Sequence, residues 1–144
     1  MFLTLGSICH AGDLDYYNLL KEQENLIDQT TTITKPKWIS IHGTKYKTGC
    51  VLWINHNEQE TPCFAIVKDI CIVERDLIGS WFIAEVLHTV ALVKHFNANE
   101  VNETVNLQLV RQHQLVYPLP LHLITATDQE QVRTFVCPKY QVPV

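Results

Sequence analysis

The stretch that most restricts the fold is Cys63 to Glu74, Cys-Phe-Ala-Ile-Val-Lys-Asp-Ile-Cys-Ile-Val-Glu. Side chains alternate along a strand, so Phe64, Ile66, Ile70 and Ile72 share one face, and Cys63, Ala65, Val67, Cys71 and Val73 share the other. Both faces are apolar, which does not fit a strand with one wet side. The interruption is Lys68-Asp69, in the middle. The pattern fits a bent strand whose two halves serve two different sheets, with Lys68-Asp69 at the bend.

The flanking segments extend this theme. Trp38 to His42 and Lys45 to Lys47 read as a short hairpin turning at Gly43-Thr44. Cys50 to His56 and Ser80 to Val90 read as strands, with Asn55 to Pro62 and Arg75 to Gly79 as polar turns. Ala91 to Asn97 fits either a strand or a helical turn. Asn97 to Glu103 reads as a polar loop. Leu107 to Val116 reads as a strand that Pro118 and Pro120 break, and Leu121 to Thr125 with Val132 to Cys137 as a closing hairpin around Thr127 to Glu130.

Upstream, Asp13 to Gln29 reads as a helix, with Asp13 as N-cap and Leu14, Tyr17, Leu20 and Ile27 on one stripe. Gln29 to Pro36 is Thr-rich and reads as a linker. The expected fold is mainly β: a small antiparallel β-barrel or roll of about six to eight strands with an N-terminal helix. The expected organisation is an N-terminal helix and linker over residues 1–35 and a small β-barrel domain over 36–144.

A chain of 144 residues suffices for one domain with its own core. Its net charge of −4 argues against broad, charge-driven binding to nucleic acid, while leaving room for a local basic patch. No stretch approaches the roughly 20 apolar residues of a membrane-spanning helix, so no membrane partner is expected. Met1 to Gly12 lacks the positive region of a signal peptide. Five cysteines at irregular spacing, without Cys-x-x-Cys, argue for buried reduced thiols in an intracellular protein rather than a disulfide framework or zinc ribbon.

Motifs for chemistry are missing from the sequence. It has no Gly-x-Ser-x-Gly, no Gly-rich phosphate loop and no His-Glu-x-x-His. His88 and His95 are seven positions apart, which puts them on opposite faces of a strand; a helix would align them, but the residues around His88 favour a strand. Glu58 with Glu60, and Glu100 with Glu103, sit in polar surroundings with nothing to raise a pKa. The expectation is a non-enzymatic chain with no catalytic residue, no cofactor and no metal site.

Binding residues are easier to nominate. Trp38, Tyr46, Trp81 and Phe82 fall on or beside strands, with Trp38 and Trp81 at strand starts. Converging rings can cage a methylated lysine, each cation–π contact giving about 0.5–2 kcal/mol. An acid would complete such a cage, and Glu74, Asp76 and Glu85 are near in sequence. The same rings would equally serve as ordinary core. Lys37, Lys45 and Lys47 surround the first hairpin together with Lys35 and His42. They suit either contact with phosphate or protection of a strand edge against pairing with another chain. The expected partner is therefore a protein or peptide. A nucleic acid or small ligand held by the hairpin lysines is the alternative, and a structural remnant without ligand is the third reading.

Three segments carry a resemblance: Tyr46-Lys-Thr-Gly-Cys-Val-Leu-Trp, Phe64-Ala-Ile-Val-Lys-Asp-Ile-Cys-Ile-Val and Trp81-Phe-Ile-Ala-Glu-Val-Leu. Their order of entry strand, bent strand and aromatic strand resembles bromo-adjacent-homology-like and related small chromatin barrels. Phe96-Asn-Ala-Asn-Glu-Val and Val132 to Val142 stand where such domains continue. Residues 37 to 142 are also similar to the C-terminal β-domain of animal proteins related to mobile elements. The resemblance implies protein–protein or chromatin association without catalysis, in the nucleus rather than the cytoplasm. The zinc fingers that precede such domains are absent from this sequence, and the DNA binding they would supply is not implied.

Overall fold

The computed structural model describes residues 2–3, 6–73, 80–93, 98–128 and 131–138. The strands are β1 (Phe2–Leu3), β2 (Ser7–His10), β3 (Thr32–Lys35), β4 (Trp38–Ile41), β5 (Thr44–Lys47) and β6 (Val51–His56). They continue with β7 (Pro62–Val73), β8 (Ser80–Val93), β9 (Ala98–Val110), β10 (Tyr117–Asp128) and β11 (Gln131–Pro138). One α-helix, α1 (Tyr17–Gln23), lies between β2 and β3.

The chain is mainly β and antiparallel, as its alternating pattern requires. The pairings run β7-β6-β10-β11-β9-β8 and return from β8 to β7, which makes a circuit of six strands. One apolar cluster draws on all six: Val51, Phe64, Ile66, Leu87, Val101, Leu121 and Val136. The result is not a clean barrel. β2 and β3 extend the sheet outward from β7, and β1, β4 and β5 form a separate three-stranded sheet. The eleven described strands exceed the number expected from the sequence.

Lys68 is where the long strand bends. The β7–β8 register slips between Val67 and Asp69. Before the slip, β7 pairs with β6 up to Ile66; after it, Ile72 and Val73 pair with β3. One strand thus takes β6 along its first half and β3 at its end; the irregularity falls at Lys68 as expected, but both neighbours belong to one eight-stranded sheet rather than to two different sheets. The extra residue also inverts the alternation. Ile70 therefore joins Ala65 and Val67 against the small sheet, and Cys71 and Val73 turn to the N-terminal segment. The simple period-two assignment had placed Ile70 with Phe64.

The small sheet covers one outer face of the circuit. Ile39 and Tyr46 pack with Leu52, Ile54, Val67, Ile70, Phe82 and Ala84. Its hairpin turns at His42-Gly43, one residue earlier than expected, because Ile41 pairs with Thr44. Both turn residues have positive φ, 50° and 82°, the backbone of a two-residue hairpin turn matched to strand twist.

Several expectations are corrected. The helix is shorter than Asp13 to Gln29 and its N-cap is Tyr16, because Ala11–Asp13 forms a 3-10 turn before it. The Thr-rich segment read as a linker contributes β3, whose Ile33 is fully buried beside Cys71 and Trp81. Asn99 to Glu103 is not a loop but part of β9, its polar side chains tolerated because β9 pairs with β8 and β11 through the backbone. β9 ends at Val110, and Gln112–Gln114 is a 3-10 turn. Pro118 and Pro120 lie inside β10, where its register with β6 slips between Tyr117 and Leu121. Ala91 to Val93 continues β8. Asn97, the turn at Arg75 to Gly79, Glu74, Asp76, His95 and Phe96 lie outside the described residues.

Candidate functional site

The seven nominated residues divide between the interior and one surface. Tyr46 and Phe82 are fully buried, with ring centroids 5.1 Å apart. The Tyr46 hydroxyl donates a hydrogen bond to the Pro118 carbonyl, and burial raises its pKa. Trp81 is also buried but faces the other way, into the cluster of Ala11, Leu20, Ile27 and Ile33. These three rings therefore line no common opening.

Trp81 has its own cation. Arg111 Cζ lies 3.7 Å from the Trp81 ring centroid. Glu24 binds both partners, its Oε1 accepting from Trp81 Nε1 at 3.3 Å and from Arg111 Nη2 at 2.5 Å. The acid comes from just after α1, the arginine from just after β9 and the ring from β8. The arrangement is a single cation–π pair with its own carboxylate, and the chain supplies the cation itself.

Trp38 is different. Ile39 turns into the core, so its neighbour Trp38 turns outward and stays half-exposed. Across the hairpin, Trp38 stands opposite Lys47. Lys45 lies diagonally, its Nζ 4.6 Å from the Trp38 ring centroid. Both lysines are exposed, as is Lys37 at the foot of β4. The structure thus brings Trp38, Lys37, Lys45 and Lys47 to one hairpin and leaves Tyr46, Trp81 and Phe82 inside. β5 pairs only with β4 among the described strands, so these lysines also flank an open sheet edge.

The described residues hold two further groupings that the sequence reading did not assemble. Trp53 gathers His56, Phe64 and Tyr117 at centroid distances of 5.1, 6.0 and 6.3 Å. His56 lies on the same strand and Phe64 pairs with Trp53 across the β6–β7 hairpin, whereas Tyr117 arrives through the β10–β6 pairing, which no local spacing could signal. On the N-terminal side, Tyr16 donates a 2.6 Å hydrogen bond to Asp69 Oδ2 and lies 3.0 Å from Cys71 Sγ. Lys35 Nζ is 3.4 Å from the same carboxylate oxygen. Burial pushes the Cys71 thiol up to about 12 and raises the Tyr16 phenol strongly, so both stay protonated at neutral pH. A thiol held in that form is a poor nucleophile.

Glu100, expected in a loop, instead lies on β9 and takes a two-point ion pair from Arg133, with Nε–Oε2 at 3.0 Å and Nη2–Oε1 at 2.8 Å. Those hydrogen bonds hold its carboxyl below the ordinary glutamate value. Among the described residues, no three His, Cys, Asp or Glu side chains gather as metal ligands would. No described helix is long and apolar enough to cross a membrane. The chain matches no protein-family model, no curated protein and no solved structure.

Proposed function

We propose that this chain is a non-catalytic protein-interaction module whose β4–β5 face receives an acidic segment of a partner protein. The observation that supports this is the half-exposed Trp38 ring, with Lys45 over it and Lys47 opposite. Such a face offers an acidic chain charge pairing, and a flat apolar ring on which to lay its side chains. The resemblance to small chromatin barrels supports an intracellular, chromatin-associated setting in the nucleus.

The same ring and lysines favour a second reading. Single-stranded nucleic acid also stacks its bases on an exposed aromatic side chain and lays its phosphates against lysines.

One experiment separates the two. A fluorescently labelled polyglutamate peptide and a labelled oligothymidylate are titrated with the chain, and anisotropy is followed. The protein reading expects the peptide to bind at low salt and to weaken at least about tenfold in the double variant Lys45→Glu, Lys47→Glu. Preference for the oligothymidylate, with affinity falling linearly on a logarithmic salt scale, selects the nucleic-acid reading. Binding of neither probe at low salt ends both.

A further inference from the structure

Among the described residues, β5 ends the small sheet on the side away from β1, and β2 ends the large one beyond β3. The first carries exposed Lys45 and Lys47, side chains that discourage pairing with another strand. The second reads Ser7-Ile8-Cys9-His10, without lysine, acid or proline. Ile8 on it is 71% exposed.

Which backbone groups of β2 face outward follows from its register. Ser7 pairs with Lys35, Ile8 with Thr34, Cys9 with Ile33 and His10 with Thr32. The Ala11 N–H donates to the Thr31 carbonyl at 2.8 Å, which continues that register as a hydrogen-bonded pair. Antiparallel pairs alternate in type, so Ser7 and Cys9 direct their N–H and C=O groups at β3. Ile8 and His10 direct theirs away from it. The open edge therefore presents a donor and an acceptor at each of two positions placed symmetrically about Cys9.

We infer that β2 pairs antiparallel with β2 of a second copy of this chain, around a two-fold axis at Cys9. Such an edge is its own complement. Ile8 of one copy meets His10 of the other, each such pair exchanges two backbone hydrogen bonds, and the pairing occurs twice. The exposed Ile8 side chain then lies against the second chain rather than in water. Cys9 meets its own copy in a non-hydrogen-bonded pair, where Cα atoms stand about 4.5 Å apart, within the range a disulfide spans. The half-buried Cys9 thiol thus becomes a reporter of the pairing. This surface lies on a different sheet from the Trp38 hairpin, and the inference does not depend on what that hairpin binds.

The test uses the full chain under reducing conditions. Sedimentation equilibrium is expected to show a mass that rises with concentration towards twice 16.6 kDa. Ile8→Pro removes the outward N–H while leaving the Cys9 ladder bonds to β3, and is expected to raise the dimer dissociation constant at least about tenfold. Ile8→Lys keeps the backbone and adds the kind of guard that β5 carries; it should weaken the dimer in the same direction. Far-UV circular dichroism checks that both variants fold. Separately, an added diazenedicarboxamide accepts two electrons and two protons from two thiols and should leave a covalent dimer that Cys9→Ser abolishes and Cys63→Ser keeps. A chain that stays monomeric at every concentration overturns the inference. So does a dimer indifferent to both Ile8 variants, a cross-link that survives Cys9→Ser, or a monomer whose Ile8 and His10 amides become protected only by a foreign extended peptide.

Discussion

Trp81 and Trp38 each lie under a cation, Arg111 at 3.7 Å and Lys45 at 4.6 Å from the ring centroid. Trp81 is 5% exposed and its arginine 6%, whereas Trp38 is half-exposed and its lysine exposed. Trp81 also has Glu24, which accepts from the indole and the guanidinium together. The planar, weakly hydrated guanidinium stacks on a ring at small desolvation cost, and a carboxylate can hold it there. A lysine ammonium over an exposed ring keeps its water and its mobility. The same pair of chemical types therefore serves the core in one place and the surface in the other. Burial and the third partner, rather than the ring, decide which.

The sharpest way to break this contrast is Trp81→Ala. The ring fills the space between the N-terminal segment and β8, and its loss leaves Arg111 and Glu24 without their apolar floor. A loss of about 3–5 kcal/mol is expected in urea-induced unfolding. A loss under about 1 kcal/mol would mean that the N-terminal segment does not depend on this ring, and the two tryptophans would cease to differ.

The Trp81 side can be probed a second way, through pH. Trp81 pairs directly with Cys71, whose thiol is held protonated by burial up to about 12, against an ordinary value of 9.0. Tyr16, buried and donating to the Asp69 carboxylate, is raised as well. Above pH 9 the unfolded chain releases protons that the folded chain keeps. The unfolded state then binds fewer protons, so stability falls as pH rises and the contribution is complete only below the ordinary value. Urea midpoints taken from neutral to strongly alkaline pH should decline from about pH 9 upward, and Cys71→Ala should flatten the decline. A flat profile in the unmodified chain would show that the cluster admits water.

What the sequence makes legible follows the range of the physics involved. Strand alternation is local, so β4 to β8 and the β10–β11 hairpin can be read directly, and so can the bend at Lys68-Asp69. Which residues turn inward after the bend cannot, because the inserted residue inverts the count. The polar stretch at Asn99 to Glu103 looks like a loop since nothing local records that β8 and β11 flank it. The prolines of β10 break the expected strand only because the register slip that accommodates them comes from β6. The site residues follow the same rule. Trp38, Lys45 and Lys47 assemble on one hairpin, and their neighbourhood could be foreseen from spacing alone. Trp81 and Arg111 stand 57 and 87 positions after Glu24, and only the folded chain brings the three together.

The smallest expected effect is the one that tests the surface half of the comparison. Trp38→Ala removes a ring that the core does not use, since Ile39 beside it fills the inward position. A cation–π pair at an exposed site contributes about 0.5–1 kcal/mol, and the stability loss should stay near that figure. Lys45→Met keeps an apolar stem over the ring while deleting the charge, and should cost less still. A double-mutant cycle between Trp38→Ala and Lys45→Met then isolates the coupling, expected below about 1 kcal/mol and smaller in high salt. A coupling of about 3 kcal/mol would place Lys45 and Trp38 in the same structural role as Arg111 and Trp81. The hairpin would then be a strut, and its aromatic ring would be committed before any partner arrived. A small coupling joined to a large loss of peptide binding in Trp38→Ala would instead mean that the ring's energy is kept for the partner.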